Sequence, residues 1–372
     1  MAIRRIVEAF VAWTLSEGLI IVSGYAAGVA PRLPSAFVRW DSMHYLAIAT
    51  SGYEFFSCGR LAGFDPTQWC GNAGWFPGYP LLIRILSTFY VDEVTAGFLI
   101  SNIFYFGCLL LLREVIEQAA PKRNNTVCFL MSSVFPGAIF YHAVFPTSML
   151  MFFALLSLLL LARGYYLWAS LAAACGAFVY PTGFLLTGMV SAGVLAATKM
   201  PWPRRLAEAM LYGTISIAGL FAVLLIHQLL IGHWDAFLLV QAKYGHGVNN
   251  PLDTIWTIWG DFRSLRGNQE KIAEAAQSLL IGVSVLGLFG MLLMRIREAA
   301  SVEWLAAVQV GVFWLFPLIV GRGVSLTRAE ANLLPLVVLA APLALEIQSL
   351  MLIAFAFLYF EVNVAFFKSI LG

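Results

Sequence analysis

LAEAMLYGTISIAGLFAVLLIHQLLI, residues 206–231, is an almost unbroken apolar run. A helix needs about 20 such residues to cross the hydrocarbon core of a bilayer, so this run predicts a membrane-spanning helix. The whole chain has the same character, because 61% of its 372 residues are hydrophobic and 11% are charged, whereas soluble domains are about a quarter charged. The sequence therefore predicts an all-α polytopic membrane protein. Its net charge of +2 is too small and too dispersed to indicate nucleic acid as a partner.

About 11 segments are apolar enough to be spanning helices, and no repeat, linker or low-complexity tract divides them, so residues 1–372 are interpreted as one integral membrane domain. The segments lie near residues 6–28, 94–112, 125–142, 144–162, 165–180, 182–198, 206–231, 277–294, 303–320, 332–347 and 350–367. Segments 165–180 and 182–198 are short and meet at Pro181, so a helical hairpin that does not fully cross is the alternative for this pair. The apolar run 80–90 is also too short, and we predict that it lies at or dips into the outer interface.

The positions of lysine and arginine in short loops predict the orientation of the chain. With the N-terminus inside, the cytoplasmic turns hold Arg4, Arg5, Arg113, Lys122, Arg123, Arg163, Lys199, Arg204, Arg205, Arg295 and Arg297. The non-cytoplasmic side then receives two long outer loops, 29–93 and 232–276, and the short segment 321–331. Cys58 and Cys70 both lie in the first outer loop, where the sequence leaves a disulfide and two unpaired thiols equally open.

A cluster of polar residues interrupts this apolar pattern in the first outer loop. Arg39, Asp41, His44 and Glu54 lie close together in sequence, among aromatic residues that are typical of a membrane interface. If residues 40–50 are helical, Asp41, His44 and Tyr45 share one face. Asp41 can then simply cap the helix and pair with Arg39, or it can act as a base beside the lipid. The aromatic surroundings favour the second interpretation.

Two stretches around this cluster carry a resemblance to a known family. RWDSMHYLAIATSGY (39–53) and WFPGYPLLIR (75–84) resemble the PIG-V-type mannosyltransferases, which belong to the GT-C superfamily of glycosyltransferases that use lipid-phosphate sugars. The likeness continues more weakly through FPGAIF with PTS, DAF with Gln241, and Arg328 ahead of a Pro-containing apolar segment. Two positions depart from the family pattern, because Tyr180 stands where an arginine is expected and Ala329 where an aromatic residue is expected. The chain length suggests a prokaryotic relative.

The resemblance implies a GT-C-type bundle of about 11 transmembrane helices, with interfacial helices in the first outer loop. It also implies an inverting transfer of a hexose from a polyprenyl-phosphate donor to a lipid or glycan acceptor on the non-cytoplasmic face. Mannose is the hexose that the resemblance favours. The expected location is a bacterial inner (cytoplasmic) membrane with the active site facing outward, or the ER membrane if the chain is eukaryotic. Two alternatives stay open: a polytopic transporter or lipid flippase, and an outer-face glycan ligase or polymerase that uses diphosphate-linked donors.

The same resemblance and the chemistry of the side chains suggest roles for individual residues. Asp41 is the expected general base, and His44 is expected to hold Asp41 or to bond the acceptor. Arg328, Arg322 and Lys243 are candidates for the donor phosphate, because cations stabilise a departing phosphate. The expected substrate groove consists of Arg39, Trp40, Tyr45, Glu54, Phe76, Tyr79 and Gln241.

No cofactor is expected. A divalent metal on Asp41 and His44 is conceivable but not favoured, because no Asp-x-Asp pair lies nearby and a hard cation prefers several oxygen ligands. Ionisable residues also occur within or beside the apolar segments, and we interpret them as interhelical hydrogen-bonding groups. They are Glu8, Glu17, His142 and His227.

Overall fold

The computed structural model describes residues 2–61, 63–121, 123–197, 201–245, 247–264, 269–320 and 325–369. Within them the chain forms seventeen α-helices and two short strands. The helices are α1 (Ala2–Ala26), α2 (Ser42–Ser51), α3 (Gly78–Ser87), α4 (Glu93–Ala119), α5 (Thr126–Leu130), α6 (Ile139–His142), α7 (Thr147–Ala162), α8 (Tyr166–Val179), α9 (Leu186–Leu195), α10 (Trp202–Ile231), α11 (Ala236–Ala242), α12 (Pro251–Arg263), α13 (Gln269–Met294), α14 (Ser301–Val320), α15 (Leu326–Ala331), α16 (Leu336–Ala340) and α17 (Leu345–Phe367). The strands are β1 (Phe55–Ser57) and β2 (Trp69–Gly71).

Six helices in the described part of the chain are long and apolar enough to cross a membrane, namely α1, α4, α10, α13, α14 and α17. Each coincides with one of the predicted segments, and together they make the chain an integral membrane protein. Helices α7 and α8 and the stretch Pro181–Leu195, which ends in α9, are apolar but shorter. The remaining predicted segments are broken, so the predicted count of about 11 spans is not confirmed. The hairpin alternative for 165–180 and 182–198 agrees with the observed break at Pro181.

Two predicted spans, 125–142 and 332–347, are not continuous helices. In the first, the chain passes from α5 through a 3-10 turn and breaks at Pro136-Gly137, where Gly137 has a φ of 80°. In the second, turns at Pro335 and Pro342 leave only the short helix α16. Proline lacks the N–H group that a helix interior needs, and a positive φ favours glycine. Residues 131–142 and 332–341 of these segments are buried within the bundle, where freed backbone groups can bond to neighbouring elements.

The start of α1 and the ends of α4 and α7 are joined by ion pairs, and we call this region the ion-pair end. The pairs are Arg5–Glu114, Arg5–Glu117, Arg113–Glu8, Arg113–Glu117 and Arg163–Glu114. All three arginines belong to the predicted cytoplasmic turns. The structure therefore brings those turns together at one end of the bundle.

Polar contacts around His142 join four helices inside the bundle. The ring Nδ1 lies 2.8 Å from Glu17 Oε1 on α1 and 2.8 Å from Asn102 Oδ1 on α4. The ring Nε2 lies 2.9 Å from the hydroxyl of Ser16, which bonds in turn to Tyr359 on α17. The interhelical role expected of His142 and Glu17 is thus confirmed.

His227 on α10 behaves differently from His142. Neither of its ring nitrogens has a hydrogen-bond partner among the described residues. Its ring packs edge-on against Tyr53, with the centroids 4.9 Å apart. The expectation of an interhelical hydrogen bond is therefore wrong for His227, which acts as a packing residue.

The first outer loop folds into α2, a β-hairpin and α3. Strands β1 and β2 pair antiparallel with Phe56 opposite Cys70, and a disulfide joins Cys58 to Cys70. Helix α3 has 10 residues, too few to cross a bilayer, as predicted for this run. Arg84 on α3 donates hydrogen bonds of 2.6 and 3.1 Å to the carbonyl oxygens of Ala49 and Ile48, and so satisfies the last turn of α2.

Candidate functional site

A cavity of about 630 Å³ lies where the predicted outer segments meet, and we call this region the cavity end. Its walls come from the start of α2, the loop before α3, the turn between α8 and α9, and parts of α10, α11, α14 and α15. Most of the lining is apolar or aromatic. The polar groups that line it are Asp41, Tyr45, Tyr180, Thr182, Gln241, Tyr244, Ser325, Arg328 and Asn332.

Asp41 and Arg328 form an ion pair in the wall of this cavity. An Nη1 hydrogen of Arg328 is donated to Asp41 Oδ2, although the two residues are 287 positions apart in the chain. Their side chains are 24% and 19% exposed, so the pair is shielded but still reachable from the cavity. Burial disfavours the charge on Arg328, but Tyr180, Asp41 and Tyr45 together raise the pKa of Arg328 above its ordinary value. The guanidinium therefore stays charged.

The backbone before α2 directs Asp41 toward the cavity. Trp40 has a φ of 42°, which is unusual and strained for a bulky residue. Asp41 occupies the N-cap position of α2, but its side chain makes no capping hydrogen bond. Arg39 donates to the carbonyl oxygen of Val38 at 2.8 Å. The alternative interpretation, in which Asp41 caps the helix and pairs with Arg39, is therefore wrong. The Asp41 carboxylate bonds to Arg328 instead.

His44 lies one turn further along α2 but does not line the cavity. Its ring stacks on Trp75, with the centroids 3.6 Å apart and the planes 18° apart. Burial lowers the pKa of His44 below its ordinary value, Lys243 acts in the same direction, and Asp41 partly opposes them. His44 is therefore neutral near pH 7. No group of three or more His, Cys, Asp or Glu side chains in the described ranges is placed to hold a metal ion.

Four of the residues predicted for the substrate groove line the cavity, namely Trp40, Tyr45, Phe76 and Gln241. Phe76 packs edge-on against Phe237 at 5.2 Å. Gln241 donates from Nε2 to the carbonyl oxygen of Gly74 at 3.2 Å, and this bond attaches α11 to the loop before α3. The first and second outer loops therefore meet at the cavity.

The other groove candidates lie elsewhere. Tyr79 is fully buried between α3 and α4, where its hydroxyl lies 2.8 Å from the carbonyl oxygen of Gly97 and 2.8 Å from the hydroxyl of Ser101. The side chain of Glu54 is exposed, and neither Glu54 nor Arg39 lines the cavity. The structure does not bring these three side chains into the cavity wall.

The three candidate phosphate ligands have different positions. Arg328 lines the cavity, whereas the predicted site at Arg322 lies outside the described residues. Lys243, just after α11, has its Nζ 4.0 Å from the sulfur of Cys70 and 5.0 Å from the ring centre of Tyr244. Lys243 therefore lies against the β-hairpin and does not line the cavity.

A glycine in one of the weaker motifs explains how Arg328 reaches the cavity. A Cβ atom at Gly137 would lie 2.7 Å from the carbonyl oxygen of Thr327, so only glycine lets α15 pack this closely on the break before α6. Phe145 follows α6, and the guanidinium carbon of Arg328 lies over its ring, 5.5 Å from the ring centre of Phe145. The FPGAIF motif and the segment after it therefore pack against α15 and against the side chain of Arg328.

Several lining residues were not predicted from the sequence. Trp234 directly precedes the Asp-Ala-Phe motif and Phe237 is its last residue, and Phe184 packs edge-on against Phe316 with the ring centres 5.5 Å apart. Tyr180, noted only as a departure from the family pattern, stands at the break between α8 and α9 and lines the cavity. A proline break inside an apolar stretch was the signal that could have placed Tyr180 at a site.

The fold resembles that of a solved structure. Over 98% of its length, the chain matches the oligosaccharyltransferase of Archaeoglobus fulgidus in its apo form, with a TM-score of 0.52 and 10% sequence identity. The chain covers 56% of that protein, so it spans little more than half of its length. At this identity the likeness concerns the fold alone, and it agrees with the all-α membrane bundle that the sequence predicted. No protein-family model and no curated protein matches the sequence.

Proposed function

We propose that the chain is a membrane glycosyltransferase that transfers a hexose from a polyprenyl-phosphate donor to a hydroxyl group of a lipid or glycan acceptor. The observation that carries this proposal is the Asp41–Arg328 pair in the wall of a mostly apolar cavity. A carboxylate can take a proton, a guanidinium can bind a phosphate, and apolar walls suit a lipid chain. The resemblance of residues 39–84 to PIG-V-type enzymes makes mannose the first hexose to test.

In this mechanism the donor phosphate competes with Asp41 for Arg328. A phosphate group offers the guanidinium more acceptor oxygens than one carboxylate does, so donor binding draws Arg328 away from Asp41. Asp41 is then a free carboxylate at the cavity wall. The exchange couples arrival of the donor to exposure of the base.

The transfer itself is a single displacement at the anomeric carbon. Asp41 accepts the proton of the acceptor hydroxyl while that oxygen forms a bond to the anomeric carbon. The bond between this carbon and the phosphate oxygen breaks, and its electron pair leaves with the polyprenyl phosphate, whose charge Arg328 stabilises. One displacement without a covalent intermediate predicts inversion of configuration. Neutral His44 lies one turn along α2 from this carboxylate, where its ring stacks on Trp75.

A second candidate is transfer of a preassembled glycan from a diphosphate-linked lipid, favoured by the fold likeness to an oligosaccharyltransferase. Among the described residues that line the cavity, however, Arg328 is the one basic side chain. A single guanidinium matches one phosphate group better than it matches two. We therefore propose the monophosphate donor on the strength of Arg328 alone, since Arg322 lies outside the described residues.

The test is a transfer assay with the full chain in lipid nanodiscs. Polyprenyl-phosphate mannose, polyprenyl-phosphate glucose and a polyprenyl-diphosphate oligosaccharide are offered in turn, and the released carrier and the glycosylated product are measured. Release of polyprenyl phosphate together with an inverted glycoside supports the proposal. Turnover of the diphosphate donor alone would favour the second candidate. Movement of intact donor across liposomes without cleavage would favour the transporter or flippase alternative.

The non-cytoplasmic placement of the site is part of the proposal and has its own test. Phe64 in the first outer loop and Arg297 after α13 are both exposed. Cys175 is the one exposed free cysteine of the described residues, so the test uses a Cys175→Ala background. There Phe64→Cys should react with an impermeant thiol reagent from outside intact cells, and Arg297→Cys should react only after the membrane is opened. The reverse pattern would place the cavity end in the cytoplasm.

A further inference from the structure

Arg328 is carried by a helix that cannot hold its own position. Helix α15 has six residues, and isolated helices this short are unstable in water and depend on tertiary contacts. Its contact with α2 runs through the Asp41–Arg328 pair, which donor binding is expected to break under the proposed function. Whatever else holds α15 therefore decides where Arg328 meets the donor phosphate.

Gln277 of α13 supplies such a contact. Its side-chain amide donates to the carbonyl oxygen of Thr327 at 3.1 Å and to Oε2 of Glu330 at 2.9 Å. These acceptors lie immediately before Arg328 and two residues after it, so one amide group brackets the arginine. Gln277 is fully buried, and its Oε1 has no hydrogen-bond partner among the described residues. All the hydrogen bonds that its side chain makes within the described chain therefore go to α15.

The surroundings of Glu330 agree with this anchoring role. The residue is buried on the side of α15 that faces α13, and the charged or titratable group facing it from that helix is Glu274. Burial raises the pKa of Glu330 to about 7, Glu274 adds to the rise, and hydrogen bonds from Ser278 and Gln277 offset part of it. A carboxyl group in this environment gains more from a fixed amide donor than an exposed one would.

We propose that Gln277 is a positioning residue, which fixes α15 so that Arg328 meets both Asp41 and the donor phosphate. This inference rests on the proposed function. Tyr141 contributes a second anchor, because its hydroxyl donates to the carbonyl oxygen of Ala331 at the end of α15. Gln277 acts beside Arg328 itself, so the precision of the phosphate contact depends more on Gln277.

The test compares two buried glutamines. Gln277→Met removes the amide at nearly constant volume, and Gln277→Asn keeps an amide that is one methylene too short to reach both acceptors. Gln309→Met is the matched control, because Gln309 on α14 is 1% exposed and its amide contacts Met151, not α15. With polyprenyl-phosphate mannose as donor, we expect the donor KM to rise about threefold to tenfold in both Gln277 variants, with a smaller change in kcat. Gln309→Met should leave both constants near the wild-type values.

A double-mutant cycle separates positioning from general destabilisation. If Gln277 acts through Arg328, adding Gln277→Met to Arg328→Ala should not raise the donor KM further. A fully additive effect, or an equal change in Gln309→Met, would overturn the inference. If Arg328→Ala alone leaves transfer unchanged, the proposed function fails first. If both Gln277 variants keep the wild-type donor KM while Arg328→Ala impairs transfer, the positioning role of Gln277 is refuted and the proposed function stands.

A readout without turnover tests the same geometry. In a Cys175→Ala chain with Asp41→Cys and Arg328→Cys, a short bifunctional thiol reagent should link the two positions efficiently. Adding Gln277→Met should slow this crosslinking severalfold, while Gln309→Met should not. Equal crosslinking rates with and without Gln277→Met would overturn the inference whatever reaction the protein catalyses.

Discussion

The two ends of the helical bundle both contain arginine–carboxylate pairs, but the pairs are built differently. At the ion-pair end, Arg5 and Arg113 each bond to two glutamates, and Glu114 and Glu117 each bond to two arginines. At the cavity end, Asp41 and Arg328 form the one ion pair that the described residues contribute to the wall of a cavity of about 630 Å³. A cross-linked network keeps its charges neutralised when one bond is lost, whereas a single pair beside open space can exchange partners with a ligand.

Asp41→Asn should have the largest effect on activity. Asparagine keeps the shape and most of the hydrogen bonding of the side chain but cannot accept the proton. We expect transfer to fall about 10²- to 10⁴-fold, which corresponds to about 3–5 kcal/mol of barrier, while donor binding survives. Transfer rate and thermal stability are measured on the same purified variant. Near-normal transfer would exclude Asp41 as the base, and unfolding of the variant would indicate a structural role.

Arg328→Ala should have the next largest effect, and it should act on binding as well as on turnover. Contacts to the phosphate exist before the transition state and strengthen in it. We expect the donor KM to rise about tenfold and kcat to fall about 10- to 100-fold. Arg328→Lys keeps the charge but loses the planar fork of donors, and should recover part of kcat. If Arg328→Ala lowered kcat but left the donor KM unchanged, the assignment of Arg328 to the phosphate site would be wrong.

This comparison also shows why the sequence predicted one part of the site better than another. The motifs of residues 39–84 are local, and four of the side chains that they contribute, those of Asp41, Trp40, Tyr45 and Phe76, line the same cavity. Whether a side chain lines a cavity or fills a helix interface depends on packing, however. Tyr79 belongs to the same motif as Phe76, yet its hydroxyl bonds between α3 and α4.

The fold shows a corresponding limit. Hydropathy identified the six long apolar helices, because lipid contact requires a continuous run. It could not separate these from the buried broken segments around Pro136 and Pro335, which are just as apolar. The burial of residues 131–142 and 332–341 is a tertiary property, and the break at Pro136-Gly137 is what lets Gly137 pack against α15, the helix that carries Arg328.

Loss of the Cys58–Cys70 disulfide should have a moderate effect. The bond closes a loop with a sequence separation of 12, for which chain entropy predicts a contribution of about 3 kcal/mol to the stability of the hairpin. The double variant Cys58→Ser, Cys70→Ser should lower the thermal stability and reduce transfer less than Arg328→Ala does, because the hairpin contacts Lys243 but does not itself line the cavity. Treatment of the wild type with a reductant should reproduce both changes. Unchanged melting in both cases would show that the hairpin is held by its packing alone.

Glu117→Gln, at the ion-pair end, should have the smallest effect on activity, and it is the direct counterpart of Asp41→Asn. Both substitutions neutralise a carboxylate that bonds to an arginine, at 2.6 Å in the case of Arg5 and Glu117. After Glu117→Gln, Arg5 still has Glu114 and Arg113 still has Glu8. No arginine is left as an unpaired charge, so the free energy of unfolding should fall by about 1 kcal/mol. Transfer and the donor KM should stay within about twofold of the wild type, since exchange with a ligand is not part of this network. If Glu117→Gln impaired transfer as strongly as Asp41→Asn does, neutralising any paired carboxylate of the bundle would be enough to disrupt transfer. The effect of Asp41→Asn would then no longer support the Asp41–Arg328 ion pair as the site of chemistry.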